Sequence, residues 1–213
     1  MERTYVRAAA AAAAAAVVSL IGGTAIYLAK AGGDDAYAQC RQGQVGGGSV
    51  GGPFTLVDGA TGKTVTDKEV ITKPTLIYFG YTFCPDVCPM DMARNAEAVD
   101  ILEERGIDSG LAFVTVDPAR DTSKVVAAFA ANIHPKAIGL TGTEDQIRTA
   151  AGAYHAYYKK QDSTDEYYLV DHSAFTYLMF PDRGFMDFYK RDTTSEQIAE
   201  SVACYVSAAE GQN

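Results

Sequence analysis

From residue 53 onward the apolar positions follow two rhythms, and the rhythm changes segment by segment. "PFTLVD" and "KTVTD" alternate around a glycine-containing turn and predict a β-hairpin. "TLIYFGY" at 75–81 and "LAFVTVD" at 111–117 are continuous apolar runs, the pattern of strands buried on both faces. Between them, residues 89–105 carry Met92, Ala96, Val99 and Leu102 at helical spacing. A further helix puts Val126, Phe129 and Ile133 on one face, and "AIGL" is a short strand. Thr143 with Gln146 has the spacing of a capping box, opening a helix that carries Ile147, Ala151, Tyr154 and Tyr158. "SAFTYLMF" and "FMDFYK" predict two strands around the turn "PDRG". Thr193 with Glu196 reads as a second capping box, with its helix running to Ala208. Strands alternating with helices mean an α/β fold. A cysteine pair where the first long helix starts, then a strand–turn–strand and a closing helix, is thioredoxin-like architecture, here with an added N-terminal β-hairpin.

The N-terminal residues follow neither rhythm. Ala8 to Leu28 contains no charged residue, and as a helix it would span roughly 30 Å, one hydrocarbon thickness. Arg3 and Arg7 precede it, and Lys30, Asp34 and Asp35 follow. Residues 1–30 therefore read as a single transmembrane helix with its N-terminus in the cytoplasm. That orientation puts the remainder outside the cytoplasm, in an oxidising compartment; with no transit peptide ahead of the apolar run, a bacterial inner membrane with the domain in the periplasm is favoured over a mitochondrion. A cleaved signal peptide ending at Ala36-Tyr37-Ala38 is the alternative; it is disfavoured because the site lies beyond the apolar run and behind three charges. Residues 31–52, with "RQGQVGGGSVGG" at 41–52, read as a glycine-rich tether, and 53–213 as one domain. A formal net charge of −9 with no basic stretch argues against nucleic acid as a partner.

Chemistry concentrates in "FGYTFCPDVCPMDM" at 79–92. Cys84 and Cys88 are each followed directly by a proline, Pro85 and Pro89. A helix begun at Pro85 would place Pro89 in its interior, at a cost of about 3 kcal/mol. The spacing therefore predicts a helix starting at Pro89, with Cys88 near the N-cap and both sulfurs facing the positive helix end, which favours thiolate. Thiolates attack disulfides and also bind metals, and the spacing alone does not separate the two roles. His172, just before "SAFTYLMF", occupies the loop that lies against the cysteine pair in a thioredoxin fold. Thiol oxidoreductases carry a cis-proline there, whereas this chain has Asp171-His172-Ser173. Two thiolates and an imidazole form a soft three-ligand site that suits copper, whereas structural zinc wants a fourth ligand. Asp86 and Asp171 are candidates for holding or tuning the site from outside it, and equally for solvated turn residues. His134 and His155 read as surface residues, and Met90 and Met92 as helix packing. "DPARDT" at 117–122 reads as a turn with an internal Arg–Asp pairing.

With these residues in view, the sequence resembles the Sco/SenC family of membrane-anchored copper proteins of cytochrome c oxidase assembly. The resemblance rests on "GGPFTLVDGATGK", "KPTLIYFGYTFCPDVCP", "VTVDPARDT", "LTGTEDQI" and "DHSAFTYLMFPDRG". It implies a thioredoxin-like fold with copper held by Cys84, Cys88 and His172. It also implies delivery of copper to the dinuclear site of cytochrome c oxidase subunit II, or reduction of that site's cysteines. Other copper chaperones or thiol reductants would be further partners. A thiol–disulfide oxidoreductase and a redox or copper sensor stay open beside the chaperone. A thiol peroxidase is disfavoured, because the Pro-x-x-x-Thr-x-x-Cys pattern is absent.

Cys40 and Cys204 remain. Cys204 lies off the apolar face of its helix, Ile198, Val202, Tyr205 and Val206, so neither thiol reads as a core residue. In an oxidising compartment two such cysteines suggest a bond to each other, with free thiols or intermolecular pairing as the alternatives.

Overall fold

The computed structural model describes residues 37–41, 49–163 and 168–211. The apolar run at 8–28 and tether residues 42–48 lie outside the described residues. No helix among the described residues is long and apolar enough to cross a membrane. The fold and the site both belong to the unit Cys40–Asn213.

The continuous apolar runs become the centre of a sheet. β3 (Thr75–Gly80) and β4 (Gly110–Thr115) are buried at every position and pair in parallel. β5 (Ala137–Thr141) continues the parallel core beside β4. The hairpin of β1 (Thr55–Asp58) and β2 (Thr64–Thr66) adds antiparallel to β5 at one edge. At the other edge, β8 (Thr176–Phe180) and β9 (Gly184–Tyr189) join antiparallel to β3. The order is β2-β1-β5-β4-β3-β8-β9. β6 (Tyr158–Lys160) and β7 (Val170–His172) form a separate two-stranded sheet. The helices are α1 (Asp67–Val70), α2 (Val87–Glu104), α3 (Ser123–Ile133), α4 (Glu144–Ala153) and α5 (Ser195–Glu210). This mixed α/β sheet, with the N-terminal hairpin on its edge, is the expected architecture.

Period-two alternation along β3 puts neighbouring rings on opposite faces. Phe79 packs on Tyr154 with centroids 5.2 Å apart, and Tyr154 on Tyr177 at 5.5 Å. Tyr78 points the other way, toward Asp91 of α2.

Several local expectations shift. α2 starts at Val87, two residues before the predicted Pro89. Pro89 is then the third helical residue, where the amide it lacks would have had no intrahelical partner, and the carbonyl four back lies outside the helix. The second capping box is one residue later than expected, with Thr194 and Gln197 exchanging bonds. α4 stops at Ala153 although Tyr154 and Tyr158 keep its period. His155 takes a left-handed conformation (φ 52°), and the His155 and Ala156 amides turn back to Gly152 and Ala151. These bonds close a Schellman turn, which frees Tyr158 to enter β6. Part of the expected tether also belongs to the folded body: the Gly51 amide donates to Ala153 O at 2.9 Å.

Candidate metal centre

Three segments meet beyond the C-terminal end of β3. The loop after it carries Cys84, the first turn of α2 carries Cys88, and β7 ends on His172. One donor atom from each of the three lies within 4.8 Å of the other two. His172 Nε2 is 3.3 Å from Cys88 Sγ, and Cys84 Sγ accepts the Cys88 backbone N–H at 3.3 Å. Cys88 is wholly buried, Cys84 nearly so, and His172 forms the half-buried edge.

The histidine is pre-set. Its Nδ1 lies 3.0 Å from Ser173 O, and a carbonyl can only accept, so Nδ1 carries the proton. Nε2 then presents a bare lone pair toward the sulfurs, the arrangement that orients metal-binding imidazoles. Tyr78 and Tyr81 meet the imidazole ring edge-on, at 6.1 and 5.7 Å.

The two thiols differ, contrary to the expectation of two helix-activated thiolates. Cys84 takes a hydrogen bond from the Cys88 thiol and others from the backbone amides of Asp86 and Cys88, which bring its pKa down to about 4. Cys88 is pushed far upward, first by donating to Cys84 and then by burial. Cys84 therefore sits in front of the helix end as the thiolate. Cys88, inside the helix, keeps the proton that the pair shares.

Neighbouring residues hold this geometry. A Cβ at Gly80 would come within 2.8 Å of Cys88 Sγ, so only glycine leaves the sulfur its place. Buried Asp121 accepts from Thr82 N at 2.9 Å, Thr82 Oγ1 at 2.5 Å and Thr115 Oγ1 at 2.6 Å, tying the cysteine loop to the end of β4. Burial pushes the Asp121 carboxyl upward. The expected pairing within "DPARDT" is Arg120 Nε with Asp117 Oδ2 at 2.5 Å. The Arg120 guanidinium lies 3.6 Å from the Tyr168 ring centroid and 4.8 Å from that of Phe83.

Asp86 is the exposed N-cap of α2; its side chain makes no capping bond, and its amide serves Cys84. Asp171 is exposed and accepts from Gln161 Nε2 at 2.8 Å. Met92 is wholly buried, as helix packing requires, but Met90 is 59% exposed. His155 is exposed. His134, read as a surface residue, is buried: it accepts the Lys136 amide at Nδ1 (3.1 Å) and lies 3.0 Å from Asp100 through Nε2. Cys40 and Cys204 form a disulfide with Cα atoms 5.5 Å apart. Cys40 is buried after all, because residues 40–41 return to α5, where Ser201 Oγ donates to Cys40 O at 3.0 Å. Sequence reasoning missed Tyr78, Asp91 and Asp121. The available signal for Asp91 was its place three residues after Cys88, on the stripe that continues to Met92.

The sequence profile of the SCO1/SenC family matches residues 42–207. SenC of Rhodobacter capsulatus is 54% identical over 175 residues, 82% of this chain and 79% of that protein. The crystal structure of Arabidopsis thaliana ScoI with copper bound is 40% identical with a TM-score of 0.70, covering 75% of this chain and 99% of its own. BsSco, described as a member of the Sco family of cytochrome c oxidase assembly proteins, is 27% identical with a TM-score of 0.56, covering 72% and 94%. The chain spans about half the length of the plant and human mitochondrial SCO1 homologues it also matches, 47% and 56%.

Proposed function

The chain belongs to the SCO1/SenC family, and on that premise we propose that it is a copper metallochaperone. It binds one copper ion through Cys84, Cys88 and His172 and passes it to the dinuclear copper site of cytochrome c oxidase subunit II. The observation that carries this reading is the convergence of two sulfurs and a bare imidazole nitrogen within 4.8 Å. Sulfur and imidazole donors fit copper. Three donors leave a position open, which suits cargo, because an acceptor's ligand can enter before the first donors leave. Copper bound to a relative 40% identical supports the metal, and the oxidase-assembly description of BsSco supports the acceptor.

Each residue has a separable task. Cys84, already ionised, is the first donor to meet the ion. His172 needs no proton loss, because its Nε2 lone pair is bare. Cys88 must release its proton to complete the set. Oxidation of the pair to a disulfide would remove two of three donors, so loading is gated by reduction. The apolar run at 8–28 supports an anchor in a bacterial inner membrane that holds the domain at the periplasmic face. Copper and electrons would reach it from other copper chaperones and thiol reductants.

The asymmetry of the two thiols favours a second reading, reduction of the oxidase site's cysteines by the same pair. One ionised thiol beside a protonated one is the arrangement of a dithiol reductant. Titrating the reduced full-length chain with copper separates the two. The chaperone reading expects one equivalent bound and its loss in His172→Ala. Unchanged affinity in that variant would leave the reductase.

A further inference from the structure

The turn after β4, residues 117–122, touches both halves of the metal centre. It reaches the cysteine loop through Asp121, which accepts from the Thr82 amide and hydroxyl. It reaches the histidine side through Asp117 and Arg120. Tyr168 Oη donates to Asp117 Oδ1 at 2.8 Å, and Arg120 Nε donates to Asp117 Oδ2 at 2.5 Å. The Arg120 guanidinium then lies over the Tyr168 ring, 3.6 Å from its centroid, which closes a triangle of carboxylate, guanidinium and phenol. The same guanidinium is 4.8 Å from the Phe83 centroid and 5.7 Å from that of Tyr81, within cation–π range of both. Phe83 adjoins Cys84, and Tyr81 meets His172 edge-on. The two grips are one unit: Thr115 Oγ1 accepts the Asp117 amide and donates to Asp121 Oδ2, and the Asp121 amide donates to Asp117 O.

The strand that carries His172 needs such a grip. β6 and β7 form their own two-stranded sheet, separate from the main one. A ribbon of two three-residue strands is not stable alone in water. Its bonds from Gln161 N to Leu169 O and from Ser173 N to Tyr157 O fix its shape and leave its placement open. Buried Val170 draws the hairpin toward the body, but apolar burial has no direction. The triangle does have direction. A planar guanidinium stacked on a ring, with both held by one carboxylate, fixes Tyr168 in position and orientation, four residues before His172. Lys160 Nζ, 3.6 Å from the same centroid, ties that ring to β6.

We propose that Arg120 is a positioning residue for the metal centre: through Tyr168 it sets His172 against the cysteine pair, while Asp121 of the same turn sets the cysteine loop. The turn is a bracket whose two arms fix the gap between imidazole and sulfurs. With the Arg120 arm broken, the hairpin samples placements that carry Nε2 away from the sulfurs, and apparent copper affinity falls with the fraction of chains still docked. Loss of a desolvated cation–π contact shifts the balance of docked to undocked hairpin by roughly fivefold to 30-fold, and that factor is the ceiling on the loss of affinity.

The test begins without metal. In the reduced full-length chain, labelled at its 3 histidines, the ring protons of His172 carry the ring-current shifts of Tyr78 and Tyr81. His134, held beside Asp100 and Lys136, reports on the fold elsewhere. Arg120→Gln removes the stack, and Tyr168→Phe removes only the bond to Asp117. Both are expected to move the His172 resonances toward their unfolded-chain values and to leave those of His134 in place. Movement of both signals in Arg120→Gln means a loss of fold, and Tyr168→Phe, which deletes one oxygen, then decides. A second arm measures copper affinity by chelator competition. Arg120→Gln is expected to weaken binding by up to roughly 30-fold in the native background and to add nothing to His172→Ala. Unmoved His172 resonances in both variants overturn the proposal. So does a weakening that persists in the His172→Ala background, because Arg120 would then act through Phe83 and the cysteine loop. Only the second arm rests on the copper reading. A chain that binds no copper would sink that reading, and the histidine resonances would still decide this one.

Discussion

The chain closes one cysteine pair and holds another open, and the two sit in opposite surroundings. Cys40 and Cys204 are 164 residues apart and bonded, with Cys40 buried against α5 beneath the Ser201 hydroxyl. Cys84 and Cys88 are neighbours on one loop and helix turn, and both are free. Distance along the chain would favour the opposite outcome. The local chemistry explains the difference. Around Cys84 the structure gathers helix-end amides and a shared thiol proton, both of which stabilise the thiolate. Around Cys40 it gathers packing and a backbone hydrogen bond, which stabilise a fixed position. On the proposed reading one pair is a structural clamp and the other a set of donors, so damage to each should appear in a different measurement.

The largest separation is in copper affinity. Cys84→Ser, Cys88→Ser and His172→Ala should each weaken binding beyond the roughly 100-fold that loss of an outer partner brings. Cys40→Ser should leave affinity and stoichiometry unchanged, and chelator competition compares them directly. Next comes stability. A bond closing so long a loop contributes about 5 kcal/mol in the chain-entropy treatment, so Cys40→Ser should lower the urea midpoint clearly. Equal midpoints would mean that the clamp adds nothing to the fold.

Asp121→Asn is intermediate. It weakens up to three hydrogen bonds at a buried site, at about 1–3 kcal/mol, and should loosen the cysteine loop. Faster hydrogen exchange at the Thr82 amide would show this. A pH slope separates the two pairs as well. Cys84 ionises near pH 4 in the fold, a pKa of about 4, against about 8.5 in an unfolded chain. A depressed pKa stabilises the fold fully above the unfolded value, and the gain is lost as pH falls toward the folded one. Between those limits the reduced chain should therefore lose stability on acidification, and Cys84→Ser should flatten the slope. The raised Cys88 pKa acts above the ordinary thiol range and leaves this window untouched.

The same contrast explains what the sequence made legible. The open pair announces itself because its spacing, its prolines and the Asp-His-Ser before β8 are local or repeat a known pattern. The buried strands β3 and β4 are equally plain, being apolar at nearly every position. The start of α2 was harder. Pro89 is tolerated anywhere in the first turn, so it could not say which residue of that turn it occupies. The end of α4 was hidden because Tyr154 and Tyr158 keep helical period while a non-glycine residue, His155, takes the left-handed position. β6 and β7 are three residues each, too short to carry a rhythm. Asp91, Asp121 and His134 are polar residues buried by partners distant in sequence, and composition cannot show a partner.

The central claim, that Cys84, Cys88 and His172 together hold copper, is tested most directly by X-ray absorption at the copper edge on the reduced full-length chain carrying one equivalent. The account predicts two sulfur neighbours and one imidazole, with the imidazole scattering lost in His172→Ala and both sulfurs retained in Cys40→Ser. An imidazole signal that survives in His172→Ala, or sulfur scattering that depends on Cys40, would contradict it.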